Sequence, residues 1–406
     1  MADIVVNGNT SGAVTLSAPA VAGTVTVTLP STTGTMLTTA SSTGVSGSAI
    51  SSGTVAEAYG GTGTSTGYYG FKNRIINGSM VIDQRNAGAS VTPVNAQFIT
   101  DRFEYVSTQT SKFTSQQSST APAGFINSLL FTSSSAYSVL SGDFFLVRQK
   151  IEGLNVADLG WGTASAATVT LSFWVRSSLT GTFGGSLFNS AGNRSYPFTF
   201  TVSTANTFEY KTITVAGDTS GTWLTTNGAG IQVGFGLGVG STYSGTANAW
   251  AGTLYFSATG ATSVVGTSGA TFYITGVQLE KGSTATSFDY KAYTTEFQLC
   301  QRYYFKNIPG VAGSNVATGV FNGTTNLVIT PILPVPMRIA PTMTQLTMSV
   351  ANGVTGNPVT SIGTQAFGVN SGLVVMNNTV ASYATGQAGY LFTQATSSYV
   401  DFFAEI

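Results

Sequence analysis

Short runs of alternating apolar and hydroxyl side chains occur along most of the chain. In AVTL at 13–16 and TVTVTL at 24–29 every second residue is apolar, and a proline closes each run. A period of two is typical of a β-strand with one buried and one hydrated face. The pattern therefore predicts an extended, strand-forming N-terminal region, followed by a Gly/Ser/Thr linker at 38–67.

The same kind of run continues through the central region, with turn residues between the runs. The predicted strands are 98–106, 125–132, 143–151, 167–176, 196–202, 208–215, 230–237, 254–258 and 271–279. Within the run at 167–176, alternation divides the side chains between two faces, and Trp174 lies on the outer face beside Arg176. The inward face has Val169, Leu171, Phe173 and Val175. Many short strands of this kind favour a β-sandwich or jelly roll.

One helix is predicted, over 295–305. Thr295 and Gln298 have the spacing of a capping box. An apolar stripe follows at helical spacing, formed by Phe297, Cys300 and Tyr304. We expect Cys300 to fill a core position, because the chain has no His to activate a thiol.

The C-terminal region predicts a second, smaller β-domain. Its predicted strands are 326–331, 344–350, 372–377, 389–393 and 399–404. Four prolines between 331 and 341 predict an irregular segment, because proline cannot donate to a strand ladder. The fold class is therefore all-β, with an extended N-terminal region at 1–70, a central sandwich at 71–292, a connecting helix at 293–306 and a C-terminal β-domain at 307–406.

Charge and composition exclude several function classes. The 406 residues include 15 basic and 15 acidic side chains, one Cys and no His. A neutral chain is a poor nucleic-acid binder, and the missing His removes Ser-His-Asp catalysis and His-ligated zinc. We expect no catalytic residues, no metal site and no cofactor. No Lys or Arg precedes Lys72, and long apolar runs are missing. We therefore expect neither a signal peptide nor membrane insertion.

Two kinds of site chemistry stay open. Paired carboxylates could hydrolyse a glycoside, although most acidic residues stand beside a basic one in the sequence. Alternatively, aromatic rings among neutral hydroxyls could bind neutral sugars. The candidate glycan-binding residues lie near the C-terminus: Tyr383, Tyr390, Phe392 and Tyr399. The competing interpretation of each ring is a place in the core or in a subunit interface.

Several motifs in order resemble those of tail fibre proteins of marine and cyanobacterial phages. The motifs are NGNTSGAVTL at 7–16, AYGGTG at 58–63, KNRIINGSM at 72–80, IDQR at 82–85 and ITGVQLEKG at 274–282. Glu296–Tyr304 and the segment at 336–342 also fit, so the resemblance extends over nearly the whole chain. The last 60 residues match least well.

The resemblance implies a homotrimeric receptor-binding protein of the virion. Residues 1–70 would attach to phage tail or adaptor proteins, and the C-terminal domain would be the tip that binds the host cell. The ligand would be a surface polysaccharide or lipopolysaccharide, and several copies would raise avidity. Such a fibre is made in the host cytoplasm without a signal peptide. Two alternatives stay open: a tailspike that cleaves polysaccharide with paired carboxylates, and a purely structural tail adaptor.

The resemblance also implies a jelly roll of the carbohydrate-binding-module type for the central domain. In that fold the first and last strands are commonly neighbours. We therefore predict a structural ion pair between Arg102 and Glu280.

Overall fold

The computed structural model describes residues 4–7, 13–16, 72–308, 310–354 and 356–406. The chain divides into two units, Met1–Thr54 and Val55–Ile406. In the first unit, β1 (Ile4–Asn7) and β2 (Ala13–Leu16) form an antiparallel pair with Ile4 opposite Leu16. This confirms the strand predicted at 13–16. The strand predicted at 24–29 and the linker at 38–67 lie outside the described residues.

The first part of the second unit is a β-sandwich. Its strands are β3 (Gln97–Thr100), β4 (Phe103–Ser107), β5 (Phe113–Ser118), β6 (Ser128–Ser133), β7 (Phe144–Glu152), β8 (Val169–Ser177), β9 (Gly181–Phe188), β10 (Ser195–Val202), β11 (Glu209–Val215), β12 (Ala229–Val239), β13 (Ser244–Gly245), β14 (Ser257–Ala258) and β15 (Thr271–Lys281). One sheet has the order β10-β9-β12-β7-β4-β3, and the other has the order β11-β8-β15-β6-β5. The chain crosses repeatedly between these two sheets, which confirms the predicted sandwich.

An aromatic core fills the space between the two sheets. The ring of Phe173 on β8 lies 5.0 Å from that of Phe200 and 4.9 Å from that of Phe235, both on the opposite sheet. The four predicted inward residues of β8 are each 0% exposed. Burying a side chain of this size contributes roughly 1.5–3 kcal/mol. The core therefore fixes which side of β8 faces solvent.

A short helix and a second β-domain follow. The remaining elements are α1 (Tyr293–Gln301), β16 (Tyr304–Asn307), β17 (Asn315–Phe321), β18 (Asn326–Ile329), β19 (Thr342–Leu346), β20 (Met348–Ala351), β21 (Gly356–Pro358), β22 (Ser361–Phe367), β23 (Gly372–Asn377), β24 (Ala388–Thr393) and β25 (Tyr399–Phe403). A three-stranded sheet, β16-β25-β19, and a seven-stranded sheet, β21-β20-β24-β17-β18-β23-β22, share one apolar core. The proline-rich segment between β18 and β19 is irregular, as predicted. No helix among the described residues is long and apolar enough to cross a membrane.

The structure corrects several element boundaries. The predicted strand 98–106 is two strands, because Arg102 adopts a left-handed φ of 71° between them. Thr347, with a φ of 55°, divides the strand predicted at 344–350 in the same way. The strands β1, β5, β9, β13, β16, β17, β21 and β22 were not predicted, and in β9 three glycines hide the alternation.

The helix also differs from its prediction. It begins after Ala292, and no side chain caps its N-terminus, so the predicted capping box at Thr295 is wrong. It ends before Tyr304, which belongs to β16. Cys300 is 0% exposed in an apolar cluster, which agrees with a core position, and burial raises its pKa well above the usual range.

The predicted Arg102–Glu280 pair is wrong. Arg102 forms its ion pair with Glu405, which also binds Arg85 at 2.8 Å. Arg102 lies in the turn between β3 and β4, whereas Glu280 is on β15 in the other sheet. The segment that does run beside β15 is 73–78, where the Arg74 amide donates to Leu279 and the Val277 amide donates to Gly78. The segment that begins the sandwich and runs beside its last strand is therefore irregular and is not a β-strand.

Charged groups also join the sandwich to the C-terminal domain. Arg302 donates to both carboxylate oxygens of Glu152 at 2.6 and 2.9 Å, and Tyr303 donates to the same group at 2.6 Å. The guanidinium of Arg102 lies 3.5 Å from the centroid of the Tyr303 ring. Because the Arg102 and Glu405 side chains are each only 2% exposed, either charge alone would be strongly destabilising.

A double-mutant cycle distinguishes the observed ion pair from the predicted one. For Arg102→Met combined with Glu405→Gln, we expect a coupling free energy of about 1–3 kcal/mol, because the two groups are in contact. The same cycle with Glu280→Gln should be additive within about 0.5 kcal/mol. The measurement is urea unfolding of the four variants in each cycle. Larger coupling to Glu280 than to Glu405 would contradict the structure.

Asp101 makes the free energy of unfolding of the protein depend on pH. Its side chain is 0% exposed, and burial raises its pKa from 3.8 to about 7, although Arg85 and hydrogen bonds from Gln84 oppose the rise. The folded protein therefore holds a proton that the unfolded chain releases at lower pH. Because the folded state binds the extra proton, the free energy of unfolding falls as the pH rises between these two pKa values.

The free energy of unfolding should fall by about 1–3 kcal/mol between pH 5 and pH 8, measured by urea unfolding at both pH values. The chain has no His, so few other groups titrate in this range. The variant Asp101→Asn should lose most of the difference. An equal difference in wild type and variant would assign the pH dependence to other groups.

Candidate functional site

An aromatic groove lies on the outer face of the five-stranded sheet. Because Phe173 and Val175 point into the core, the neighbouring residues of β8 point to solvent, and Trp174 is among them. Tyr210 on β11 stands directly opposite Trp174 in the register. The two ring centroids are 5.4 Å apart at an interplanar angle of 48°. These rings form one wall of the groove.

Two loops supply a second group of rings. Phe125 precedes β6, and Phe288 and Tyr290 follow β15. The centroid of Phe125 is 5.1 Å from that of Phe288 and 5.5 Å from that of Tyr290, and the last two are 4.8 Å apart. The Tyr290 hydroxyl donates to the Gly124 carbonyl at 2.8 Å, which ties the loops together. Partial burial raises the pKa of Tyr290.

Gly276 allows the two groups of rings to meet. The β8–β15 register shifts between Thr275 and Gln278, and Gly276 has a left-handed φ of 61° within this bulge. A Cβ at this position would lie 2.7 Å from Phe125 and 3.0 Å from Trp174. Real Cβ atoms need more room, so only glycine lets both rings approach the strand backbone.

Glu280 positions the loop that follows β15. Its carboxylate accepts hydrogen bonds from the Thr286 amide at 2.9 Å, the Thr286 hydroxyl at 2.7 Å and the Gln278 side-chain amide at 2.9 Å. Glu280 is 2% exposed, and the described residues form no ion pair with it. The residue predicted to pair with Arg102 therefore holds the loop that contributes Phe288 and Tyr290.

The groove has a volume of about 520 Å³, and none of the described residues that line it is charged. It is lined by Phe125, Ser172, Trp174, Tyr210, Gly276, Ala285, Thr286, Ser287, Phe288 and Tyr290. Flat rings in such a site pack against the C–H faces of a sugar, and neutral hydroxyls and backbone groups fix its orientation. The shape and chemistry of the groove suit a ring-shaped polar ligand.

The four predicted glycan-binding residues are not brought together in one site. Tyr383 is 5% exposed, its hydroxyl donates to the Val350 carbonyl at 3.0 Å, and its ring stacks on Phe321. Tyr383 is therefore a core residue, which is the competing interpretation that the sequence allowed for each ring. Tyr390 and Phe392 are neighbours on β24, with centroids 5.8 Å apart.

Tyr399 belongs to β25 in the other sheet of the domain, where the Lys306 ammonium lies 4.2 Å from its ring centroid. Sequence reasoning placed Trp174 on the outer face but did not select the other four rings of the groove. The alternation of β11 could have indicated Tyr210, because Ile213 and Val215 take the opposite face. The three loop rings have no periodic signal.

Comparisons with known proteins find only distant likenesses. No protein-family model and no curated protein matches the chain. The enzymatically active domain of bacteriophage CBA120 tailspike protein 4 is 12% identical over 52% of this chain, with a TM-score of 0.29, and the match spans 22% of its length. The family 11 carbohydrate-binding module from Clostridium thermocellum, in complex with a β-1,3-1,4-mixed-linked tetrasaccharide, is 10% identical over 49% of this chain and 99% of its own, with a TM-score of 0.25. A xylan-binding domain from Paenibacillus barcinonensis is 7% identical over 50% of this chain and 99% of its own, with a TM-score of 0.23.

The close approach at Gly276 can be tested by a glycine-to-alanine pair. Gly276→Ala should lower the free energy of unfolding by at least about 1–2 kcal/mol, because alanine is strained at this φ and meets two rings. Gly252→Ala is the matched control, since a Cβ there meets nothing within 4 Å. That change should stay within about 0.5 kcal/mol. Equal effects in urea unfolding would contradict the proposed tight contact.

Proposed function

We propose that this protein is a phage tail fibre whose central sandwich binds a host surface glycan in the aromatic groove. The observation that carries the proposal is the pairing of Trp174 with Tyr210 beside the three loop rings, in a groove lined by neutral polar groups. The order of the sequence motifs supports the assignment to a fibre. The proposed binding surface therefore lies on the sandwich, and the C-terminal tip is the second candidate, because Tyr390 and Phe392 are partly exposed there.

We propose binding without cleavage. Glycoside hydrolysis needs two carboxyl groups roughly 5–10 Å apart beside the bond that breaks. The described residues that line the groove include no carboxylate, and the carboxylate on β15, Glu280, is buried and accepts hydrogen bonds from Thr286. The groove supports recognition through ring stacking and hydrogen bonds.

The proposed place of the protein is the virion, with residues 1–70 attached to phage tail or adaptor proteins and three copies in one fibre. Exposed apolar side chains on the C-terminal domain support the proposed assembly of several copies. Val320 and Leu373, which are 50% and 43% exposed, lie on the outer face of its seven-stranded sheet. The segment between Arg338 and Asp401 contains no charged residue, so this surface is unusually neutral. Several copies would raise avidity for a weakly bound glycan.

The experiment is inhibition of adsorption by purified protein. Wild-type protein should block adsorption of the phage that carries it, and the double variant Trp174→Ala/Tyr210→Ala should need at least tenfold more protein, because each ring supplies stacking area. Tyr293→Ala is the matched control, since Tyr293 is 63% exposed but outside the groove. It should block as wild type does.

The tip is tested in parallel with Tyr390→Ala/Phe392→Ala. Loss of blocking in this variant but not in the groove variant would move the binding site to the C-terminal domain. Absence of blocking by folded wild-type protein would favour the structural adaptor.

A further inference from the structure

The outer face of the sandwich continues beyond the groove as a ladder of cross-strand rows. One row has Tyr210 opposite Trp174, which is opposite Thr275. The next row has Arg176 opposite Tyr273. Residues two apart on a strand are separated by about 7 Å, which is close to the span of one sugar ring and its linkage. A linear glycan lying along β8 would therefore reach from Trp174 to Arg176.

The guanidinium of Arg176 is held in a fixed place. It lies 4.8 Å from the centroid of the Tyr273 ring and 5.9 Å from that of Phe208. Its Nε donates to the Asn206 carbonyl at 2.9 Å. Stacking and this one hydrogen bond orient the plane of the group. Arg176 is therefore preorganised before a ligand arrives.

Its charge has no acidic partner within the described part of the chain. Most other cations there form ion pairs, as Arg194 does with Asp218 at 2.6 Å and Arg148 with Glu104 at 2.7 Å. Arg176 forms none, and its side chain is partly exposed beside the groove. With Nε occupied, the two Nη groups are left to bind a ligand. Their planar fork matches a carboxylate.

We infer that Arg176 forms an anion-binding subsite at the end of the groove. The glycan bound there carries a carboxylate, as a hexuronic acid does. This inference rests on the proposed glycan-binding function and names the substrate class. Trp174 and Tyr210 bind a sugar face, and Arg176 selects an acidic residue one position along the polymer. If Arg176 had only a structural role, its substitution would change the Kd for charged and neutral ligands equally.

The experiment compares hexuronic acid polymers with their carboxyl-reduced products. Polygalacturonate, alginate, hyaluronate and heparosan are each tested before and after reduction, which replaces the carboxylate with a hydroxymethyl group and keeps the backbone. The full chain should bind at least one acidic polymer, with a Kd at least tenfold lower than for its reduced product. Arg176→Gln should abolish this difference, and Arg176→Lys should restore part of it.

Lys112→Gln is the matched control for net charge. Lys112 also lies over a tyrosine ring, 4.6 Å from the centroid of Tyr137, and it forms no ion pair with the described residues. This variant should keep the preference for the acidic polymer. An equal loss in the Lys112 and Arg176 variants would overturn the inference in favour of general electrostatic attraction.

The remaining outcomes separate the two proposals. If acidic and reduced polymers bind equally, and Trp174→Ala weakens both, the groove binds glycans and the assignment of Arg176 is wrong. If only the neutral polymers bind, the groove likewise binds glycans and the assignment of Arg176 is wrong. If no glycan in the set binds, and adsorption is not blocked either, both the inference and the proposed function fail.

Discussion

The alternation of β8 between core and solvent is the constraint on which the rest of the site depends. Phe173 packs in the core against two rings of the opposite sheet, and Val175 is 0% exposed. Because successive side chains of a strand point to opposite faces, this packing forces Trp174 and Arg176 outward. A slip of one residue would place Trp174 in the core and the apolar set in water. The free energy of core packing thus holds the outer face of the sheet in register.

Around this strand, the groove contains features that local sequence rules disfavour. A left-handed glycine interrupts β15, and a carboxylate is buried without a cation among the described residues. Each has an evident function here, because Gly276 admits the rings of Phe125 and Trp174, and Glu280 fixes the loop of Phe288. Deviations from local consistency are expected where a structure serves a ligand. Both deviations are consistent with the proposal that the groove is the functional surface.

Buried ion pairs join the sandwich to the C-terminal part of the chain. Glu405 binds Arg85 and Arg102, and Glu152 binds Arg302. A buried charge without its partner is strongly destabilising, so these ion pairs favour one arrangement of the two parts. The groove, in contrast, has a neutral lining, and Arg176 forms no ion pair with the described residues.

Periodicity was sufficient for the elements that repeat regularly. The strand 372–377 was predicted with its observed bounds, and the inward and outward faces of β8 were both correct. Prediction failed where the backbone turns for a tertiary reason, as at Arg102 and Thr347, whose left-handed conformations have no local signal. It failed also for pairs distant in sequence, since Arg102 binds a residue 303 positions away.

The sequence by itself determined the all-β class, the two-faced strands and the neutral, aromatic character of the surface, because side-chain polarity and a period of two are local properties. Only the tertiary structure decided which rings meet. Phe125, Phe288 and Tyr290 come from loops that β6 and β15 bring together, and their contact depends on the bulge at Gly276. Loop conformations follow from packing between distant segments, which no local pattern encodes.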